Sequence, residues 1–198
     1  ELSQICYKAN QIAIGMFSGA IYLLTNKGKF LRHYTEHHKA ITDLCIHENV
    51  LISASRDKTI KIWDKTQRGS THTLTGHAED VTSLAPFSHH LISGSIDKTV
   101  RIWSLNQDKA LQTTLNQTSE VTCVQSLDSY LFASANLQGE ISIYDGNKLE
   151  RVQTLRLQAN HAKQKIVKAM HWNSQTLMTI TADQTLKIWD YNQGKCLQ

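Results

Sequence analysis

The sequence predicts an all-β protein built from repeated antiparallel sheets. Short β-branched and aromatic runs alternate with turn clusters every 8 to 12 residues along its 198 positions, and no stretch shows the 3.6-residue period of a helix. Shifting the sequence by 40 residues places 51–64 on 91–104 almost residue for residue. A fixed period of this length selects a propeller or a solenoid among the all-β architectures.

Five units account for the whole chain, which we treat as one repeat region, 1–198. Each unit is expected to hold four short antiparallel strands joined by tight turns. The approximate unit boundaries are 1–34, 35–75, 76–115, 116–155 and 156–198. The abrupt ends of the chain, at Glu1 and Gln198, favour a piece cut from a longer array over a closed ring of five.

A set of polar and aromatic residues recurs at fixed spacing. In the third unit His77 lies 26 residues before Trp103, and in the second unit His37 lies 26 residues before Trp63. The fifth unit repeats the end of the pattern, with His161 as a candidate equivalent of the histidine after an insertion of about two residues. The first and fourth units lack the set. The full sets are His77, Ser93, Asp97 and Trp103; His37, Ser53, Asp57 and Trp63; and Thr179, Asp183 and Trp189.

The Gly-His, turn Asp and Trp-Asp pattern at a period near 40 resembles the WD40 repeat. This resemblance implies an all-β WD40 β-propeller of four-stranded antiparallel blades, with five blades in this chain. Because propellers of this family most often close with seven blades, about two would lie outside the chain. A fainter resemblance links the units to the propellers of F-box-type substrate receptors of ubiquitin ligases.

The resemblance implies a non-catalytic interaction scaffold that binds protein or peptide partners on the top face of the propeller, as part of a multiprotein complex. The alternative is the substrate-recognition module of a ubiquitin ligase that binds an acidic or phosphorylated degron. A hydrolase that uses a Ser/His/Asp set is the alternative from another class.

The Ser/His/Asp sets are expected to be packing devices rather than catalytic sites. Buried polar groups must be paired, so the Trp N–H should donate to Ser, Ser to His, and His to Asp. The set recurs at identical spacing, its serine lies within a strand, and no glycine-rich oxyanion loop precedes it. No His or Cys spacing resembles a zinc site. The sequence therefore predicts no enzyme activity, no metal and no cofactor.

The composition indicates which kinds of partner and which cellular compartment to expect. The formal net charge is +4 and the basic residues are scattered, which does not favour nucleic acid or a membrane surface as a partner. The four cysteines are far apart and form no CxxC pair. We therefore expect a reducing compartment, the cytoplasm or the nucleus.

Candidate partner-binding residues flank the predicted polar sets. Arg56 is the strongest, because it precedes a turn Asp and its guanidinium can pair with a carboxylate or phosphate through two hydrogen bonds. Simple solvation of these side chains is the alternative. The other candidates before a turn Asp are Ile96 and Ala182, and those at or near the start of a first strand are Thr42, Thr82, Thr122, Lys165 and Lys168.

Overall fold

The ordered elements of the chain are β-strands. A computed structural model describes residues 1–105, 111–157, 166–173, 176–190 and 193–197, and no helix occurs within these ranges. The strands form five four-stranded antiparallel sheets, each made of four strands that are consecutive in the chain. The predicted fold class, an all-β chain of four-stranded blades, is confirmed.

The twenty strands match the expected meanders closely. The first two sheets contain β1 (Leu2–Lys8), β2 (Gln11–Met16), β3 (Ile21–Thr25), β4 (Phe30–Tyr34), β5 (Ile41–His47), β6 (Val50–Ser55), β7 (Ile60–Asp64) and β8 (His72–Leu74). The other three contain β9 (Val81–Phe87), β10 (His90–Ser95), β11 (Thr99–Ser104), β12 (Leu111–Asn116), β13 (Val121–Ser126), β14 (Leu131–Asn136), β15 (Glu140–Asp145), β16 (Glu150–Arg156), β17 (Val167–Trp172), β18 (Leu177–Thr181), β19 (Leu186–Asp190) and β20 (Lys195–Cys196).

The chain divides into two compact parts, an N-terminal part, Glu1–Leu84, and a C-terminal part, Ala85–Gln198, and the division falls inside β9. In the N-terminal part, Ile21 and Leu23 of the first sheet share a core with Ile41 and Trp63 of the second. In the C-terminal part, the fourth and fifth sheets share another core. Its members include Ala133, Ala135, Ile141, Ile143, Val167, Met170, Leu177 and Trp189. Face-to-face packing of consecutive sheets therefore buries the apolar residues within each part.

The turn between the second and third strand has the same backbone conformation in every sheet. Its last residue has a positive φ, between 66° and 89°, and donates its N–H to the carbonyl three residues earlier. These residues are Gly19, Lys58, Lys98, Gly139 and Gln184. In the second, third and fifth sheets the turn acid comes directly before this last residue. The residue before the acid, or before its equivalent in the other two sheets, lies at the apex of the turn.

Four of the first strands carry a β-bulge at the same place. The register shifts between Leu2 and Gln4, Ile41 and Asp43, Val121 and Cys123, and Val167 and Ala169. A bulge leaves one residue without a cross-strand partner and changes the direction of nearby side chains. The unpaired residues are Ser3, Thr42, Thr122 and Lys168, three of which are among the predicted partner-binding positions.

Candidate interaction face and buried polar sets

The second sheet holds a continuous chain of hydrogen bonds between four side chains. The Trp63 indole N–H donates to Ser53 Oγ at 2.8 Å, and Ser53 Oγ lies 2.7 Å from His37 Nε2. His37 Nδ1 lies 2.7 Å from Asp57 Oδ2. All four groups are satisfied if Ser53 donates to a neutral His37 that carries its proton on Nδ1.

Thr59 and the backbone complete the surroundings of Asp57. The Thr59 hydroxyl donates to Asp57 Oδ1 at 2.6 Å, and the His38 N–H donates to Oδ2 at 3.1 Å. Burial alone would raise the pKa of Asp57, but the hydrogen bonds from His37 and Thr59 outweigh it and hold that pKa well below its ordinary value. The carboxylate is therefore stabilised in its ionised form.

The geometry of this set resembles a catalytic triad, but its position does not suit catalysis. Ser53 is fully buried within β6 and His37 is only 3% exposed. The Ser53 oxygen also accepts the Trp63 N–H, so its hydrogen-bonding capacity is used inside the sheet. A substrate carbonyl cannot reach a nucleophile that is enclosed in this way. The hydrogen bonds of the set are therefore made inside the sheet.

The lowered pKa of Asp57 predicts a specific loss of stability in acid. Its contribution is complete above the pKa of an unfolded Asp, about 4, and declines as the pH falls below that value. We expect the free energy of unfolding of the wild type to fall more steeply below pH 4 than that of Asp57→Asn. Urea denaturation between pH 6 and pH 3 measures both slopes, and parallel slopes would contradict the assignment.

The third sheet repeats part of the arrangement. The Trp103 N–H donates to Ser93 Oγ at 2.8 Å, and Asp97 Oδ1 accepts the Thr99 hydroxyl at 2.6 Å and the Thr99 N–H at 2.9 Å. His77 is buried. Serine and tryptophan therefore pair in the third sheet as they do in the second.

The fifth sheet uses threonine in place of serine. The Trp189 N–H donates to Thr179 Oγ1 at 3.0 Å, and the Thr181 hydroxyl donates to Asp183 Oδ1 at 2.6 Å. Thr179 and Trp189 are buried. His161 and Lys165, which the sequence singled out, lie outside the described residues.

The fourth sheet contains a substitute set that the sequence did not reveal. Gln117 Nε2 donates to the Tyr144 hydroxyl at 2.8 Å, and Ser134 Oγ donates to Gln117 Oε1 at 3.3 Å. Glutamine thus bridges serine and tyrosine where the second sheet places histidine between serine and aspartate. The tyrosine ring is buried and stacks on Phe132. The loss of the signature residues therefore does not leave this sheet without internal hydrogen bonds.

The side chain of Asp43 forms a second network of hydrogen bonds in the N-terminal part. Its carboxylate accepts the N–H groups of Leu44 at 2.8 Å and Leu84 at 2.7 Å, and the side chain of Gln4 at 3.3 Å. It thereby connects three first strands, β1, β5 and β9. Burial raises its pKa, so the folded state takes up a proton at a higher pH than the unfolded state does. No motif in the sequence marked this residue.

Neighbouring carboxylates partly neutralise the positive charges of Arg56 and Lys58. Arg56 is 57% exposed and lies 3.9 Å from the Asp80 carboxylate. Lys58 Nζ lies 3.3 Å from Glu79 Oε1 and donates to the Ala78 carbonyl at 2.6 Å. Arg56 is therefore open to a partner, but the carboxylates beside it weaken its attraction for an acidic one.

The predicted threonines are less open than Arg56. The Thr42 hydroxyl donates to the Val81 carbonyl at 2.5 Å, and the Thr122 hydroxyl donates to the Ala135 carbonyl at 3.3 Å. Both residues are half-buried, as is Thr82, whereas Lys168 is exposed. The hydroxyls of Thr42 and Thr122 thus secure the bulged part of their strands.

Several turns carry an exposed apolar side chain at their apex, whereas the sequence pointed most strongly to Arg56. In the C-terminal part, Ile96 is 42% exposed and Leu137 is 37% exposed. Ala182, at the same position of the fifth sheet, is half-buried. In the N-terminal part the apex residues are Phe17, which is exposed, and Arg56. We define the three apex positions of the C-terminal part, Ile96, Leu137 and Ala182, as the turn face. The sequence singled out Ile96 and Ala182 but not Leu137, because the fourth sheet has no turn Asp.

The four-stranded sheets, and the complete set of Trp63, Ser53, His37 and Asp57 in the second sheet, have the form of WD-type repeats. Two segments, residues 28–64 and 68–104, match the family model described as WD domain, G-beta repeat. These two segments of the chain are WD40 repeats.

Two of the known proteins that resemble the chain are described here. It is 32% identical over 66 residues to the Shk1 kinase-binding protein 15 of Schizosaccharomyces pombe, an alignment that covers 33% of this chain and 19% of that protein. The crystal structure of the computationally designed Ika8 protein matches the chain with a TM-score of 0.85 and 24% identity, over 100% of this chain and 60% of the designed one. The two matches thus cover less than two thirds of either protein. The second match concerns the fold alone.

The described residues contain no group of three or more His, Cys, Asp or Glu side chains arranged to hold a metal ion. Within the same residues, no helix is long and apolar enough to cross a membrane.

Proposed function

We propose that this chain is a non-catalytic scaffold that binds other proteins or peptides through its turn face. The observation that carries the proposal is the exposure of apolar apex residues beside buried polar sets that are saturated with internal hydrogen bonds. The buried sets are used in folding, whereas the exposed part of Ile96 and of Leu137 contributes little to it. Exposed apolar side chains at equivalent positions of successive sheets are typical of contact surfaces. The name of the fission yeast relative, a kinase-binding protein, supports an interaction role.

A pair of double variants tests the proposal. Ile96→Ser with Leu137→Ser removes the apolar apex residues of the third and fourth sheets. Leu111→Ser with Val152→Ser is the matched control, because these residues belong to the fourth strands of the same two sheets and are exposed to a similar extent. We expect affinity capture with quantitative mass spectrometry to lose partners with the first variant and to keep them with the second. Equal capture by both variants would exclude the turn face as the contact surface.

The second candidate function is recognition of an acidic or phosphorylated segment, as in a ubiquitin-ligase substrate receptor. The exposed guanidinium of Arg56 favours it, since Asp80 lies at 3.9 Å and can be displaced by a stronger anion. In the same capture experiment, Arg56→Ala and phosphatase treatment of the lysate should remove the same partners. Partners that survive both treatments would contradict this function.

A further inference from the structure

The carboxylate of Glu36 holds the loop between β7 and β8. Glu36 Oε1 accepts the Ser70 N–H at 2.9 Å, and Oε2 accepts the Ser70 hydroxyl at 2.5 Å. Lys61 Nζ lies 3.5 Å from Oε2 and donates to the Thr73 hydroxyl at 3.0 Å. A β-carbon at Gly69 would lie 2.8 Å from Oε1, so the carboxylate lies directly against the loop. We call the contacts of Glu36 with Ser70 and Lys61 the Glu36 clamp.

Glutamate at this position departs from the repeat pattern. The second unit has Glu36 before its histidine, where the third and fourth units have Gly76 and Asn116, which carry no charge. Burial would raise the pKa of Glu36, but the hydrogen bonds from Ser70 and the charge of Lys61 outweigh it and lower that pKa. The carboxylate is therefore ionised where it binds the loop, and a second negative charge beside it would weaken the clamp.

Ser70 has the arginine and the exposure that a kinase selecting basic substrates requires. Arg68 lies two residues before it, a spacing that no other arginine of the chain has to a serine or threonine. The acidic groove of such a kinase binds this arginine, because a guanidinium pairs with carboxylates through two hydrogen bonds. Arg68 is exposed, Ser70 is half-buried, and the Glu36 side chain on its hydroxyl is 40% exposed. By contrast, Ser104 follows Arg101 by three residues but is buried within β11.

We propose that Ser70 is a phosphorylation site of a serine/threonine kinase that selects basic substrates, and that the phosphate opens the Glu36 clamp. In the transfer, Ser70 Oγ forms a bond to the γ-phosphorus of ATP while the bond from that phosphorus to the β,γ-bridging oxygen breaks. ADP leaves with the electrons of the broken bond, and the hydroxyl proton passes to a carboxylate of the kinase. The product has thus lost the proton that Ser70 donated to Glu36.

The phosphate replaces an attraction by a repulsion. It carries a charge of about −1.5 to −2 at pH 7 and stands where the hydroxyl met the Glu36 carboxylate. The single ammonium of Lys61 cannot neutralise both groups, so the phosphate and the carboxylate repel each other. The loop at 65–71 therefore leaves Glu36, and the Ser70 N–H loses its acceptor.

Phosphorylation in vitro tests the site. The full chain and its Arg68→Ala variant are incubated with ATP, Mg²⁺ and the catalytic subunit of the cAMP-dependent protein kinase, and phosphopeptides are quantified by mass spectrometry. We expect phosphate on Ser70, at a rate about tenfold lower in Arg68→Ala because a charged contact with the kinase is lost. Ser104 is the matched control and should stay unmodified, because it is buried. An unmodified Ser70, or equal rates in the two proteins, would overturn the proposal.

Hydrogen exchange tests the opening of the clamp. In the wild type, phosphorylation should speed the exchange of the Ser70 N–H about tenfold, because that group loses its acceptor. Glu36→Gln is the matched control, since its amide oxygen still accepts the N–H but carries no charge to repel the phosphate. We expect phosphorylation of this variant to change the exchange rate little. The proposal fails if the rate rises equally in both proteins or in neither.

Discussion

The Asp57→Ala variant is expected to lose about 3 kcal/mol of its free energy of unfolding. The substitution leaves the buried Nδ1–H of His37 without its acceptor, which now lies 2.7 Å away. It also removes the acceptor of the Thr59 hydroxyl and of the His38 N–H. Unpaired groups in the interior cannot regain water, so the loss exceeds that of an ordinary surface hydrogen bond.

Asp64→Ala is the matched control for Asp57→Ala. Asp64 lies in the same sheet and also accepts hydrogen bonds, from the N–H and the hydroxyl of Thr66, but these contacts are exposed. Chemical denaturation followed by tryptophan fluorescence should show a much smaller loss for this variant. Equal losses would mean that Asp57 acts only as a turn residue and that the His37 contact contributes little.

Gly19→Ala is expected to be about as damaging, at about 3 kcal/mol, for two separate reasons. Gly19 has a φ of 89°, a conformation that alanine adopts only at a cost. A β-carbon there would also lie 2.8 Å from the Lys39 carbonyl oxygen and closer still to that of His37. The backbone that carries the His37 set would have to move.

Gly28→Ala separates these two reasons. Gly28 has a similar φ of 78°, but a β-carbon there would meet no atom within 4 Å. We expect this variant to lose about 1 kcal/mol, the cost of the backbone conformation alone. Thermal unfolding of the two variants measures the difference. A loss as large in Gly28→Ala would show that the contact with His37 is unimportant.

The repeats made the fold predictable, because a pattern that occurs several times constrains strand, turn and register together. Thr59 could also have been predicted, since a threonine follows the turn Asp by two residues in three units. The role of Asp43 could not, because the equivalent positions in the other sheets hold Gln4, Ser83, Cys123 and Ala169. Its partners come from strands that are distant in the chain.

The substitute set of the fourth sheet was unpredictable for a related reason. Gln117 and Tyr144 differ from histidine and tryptophan in length and in hydrogen-bonding groups, so only their geometry shows that they meet.

In the common turn conformation, backbone groups hold the turn together, whereas the apex side chain differs from sheet to sheet. Backbone hydrogen bonds secure each turn: the positive-φ residue donates its N–H within the turn, and in four sheets the apex residue donates its own N–H to a carbonyl outside the turn. The apex side chain contributes little to any of these contacts, and in this chain it is Phe, Arg, Ile, Leu or Ala. Under the proposed function, each sheet thus offers one position at which a substitution is expected to alter binding with little change in stability. A library randomised at these five apex positions would therefore be a practical source of new binding specificities.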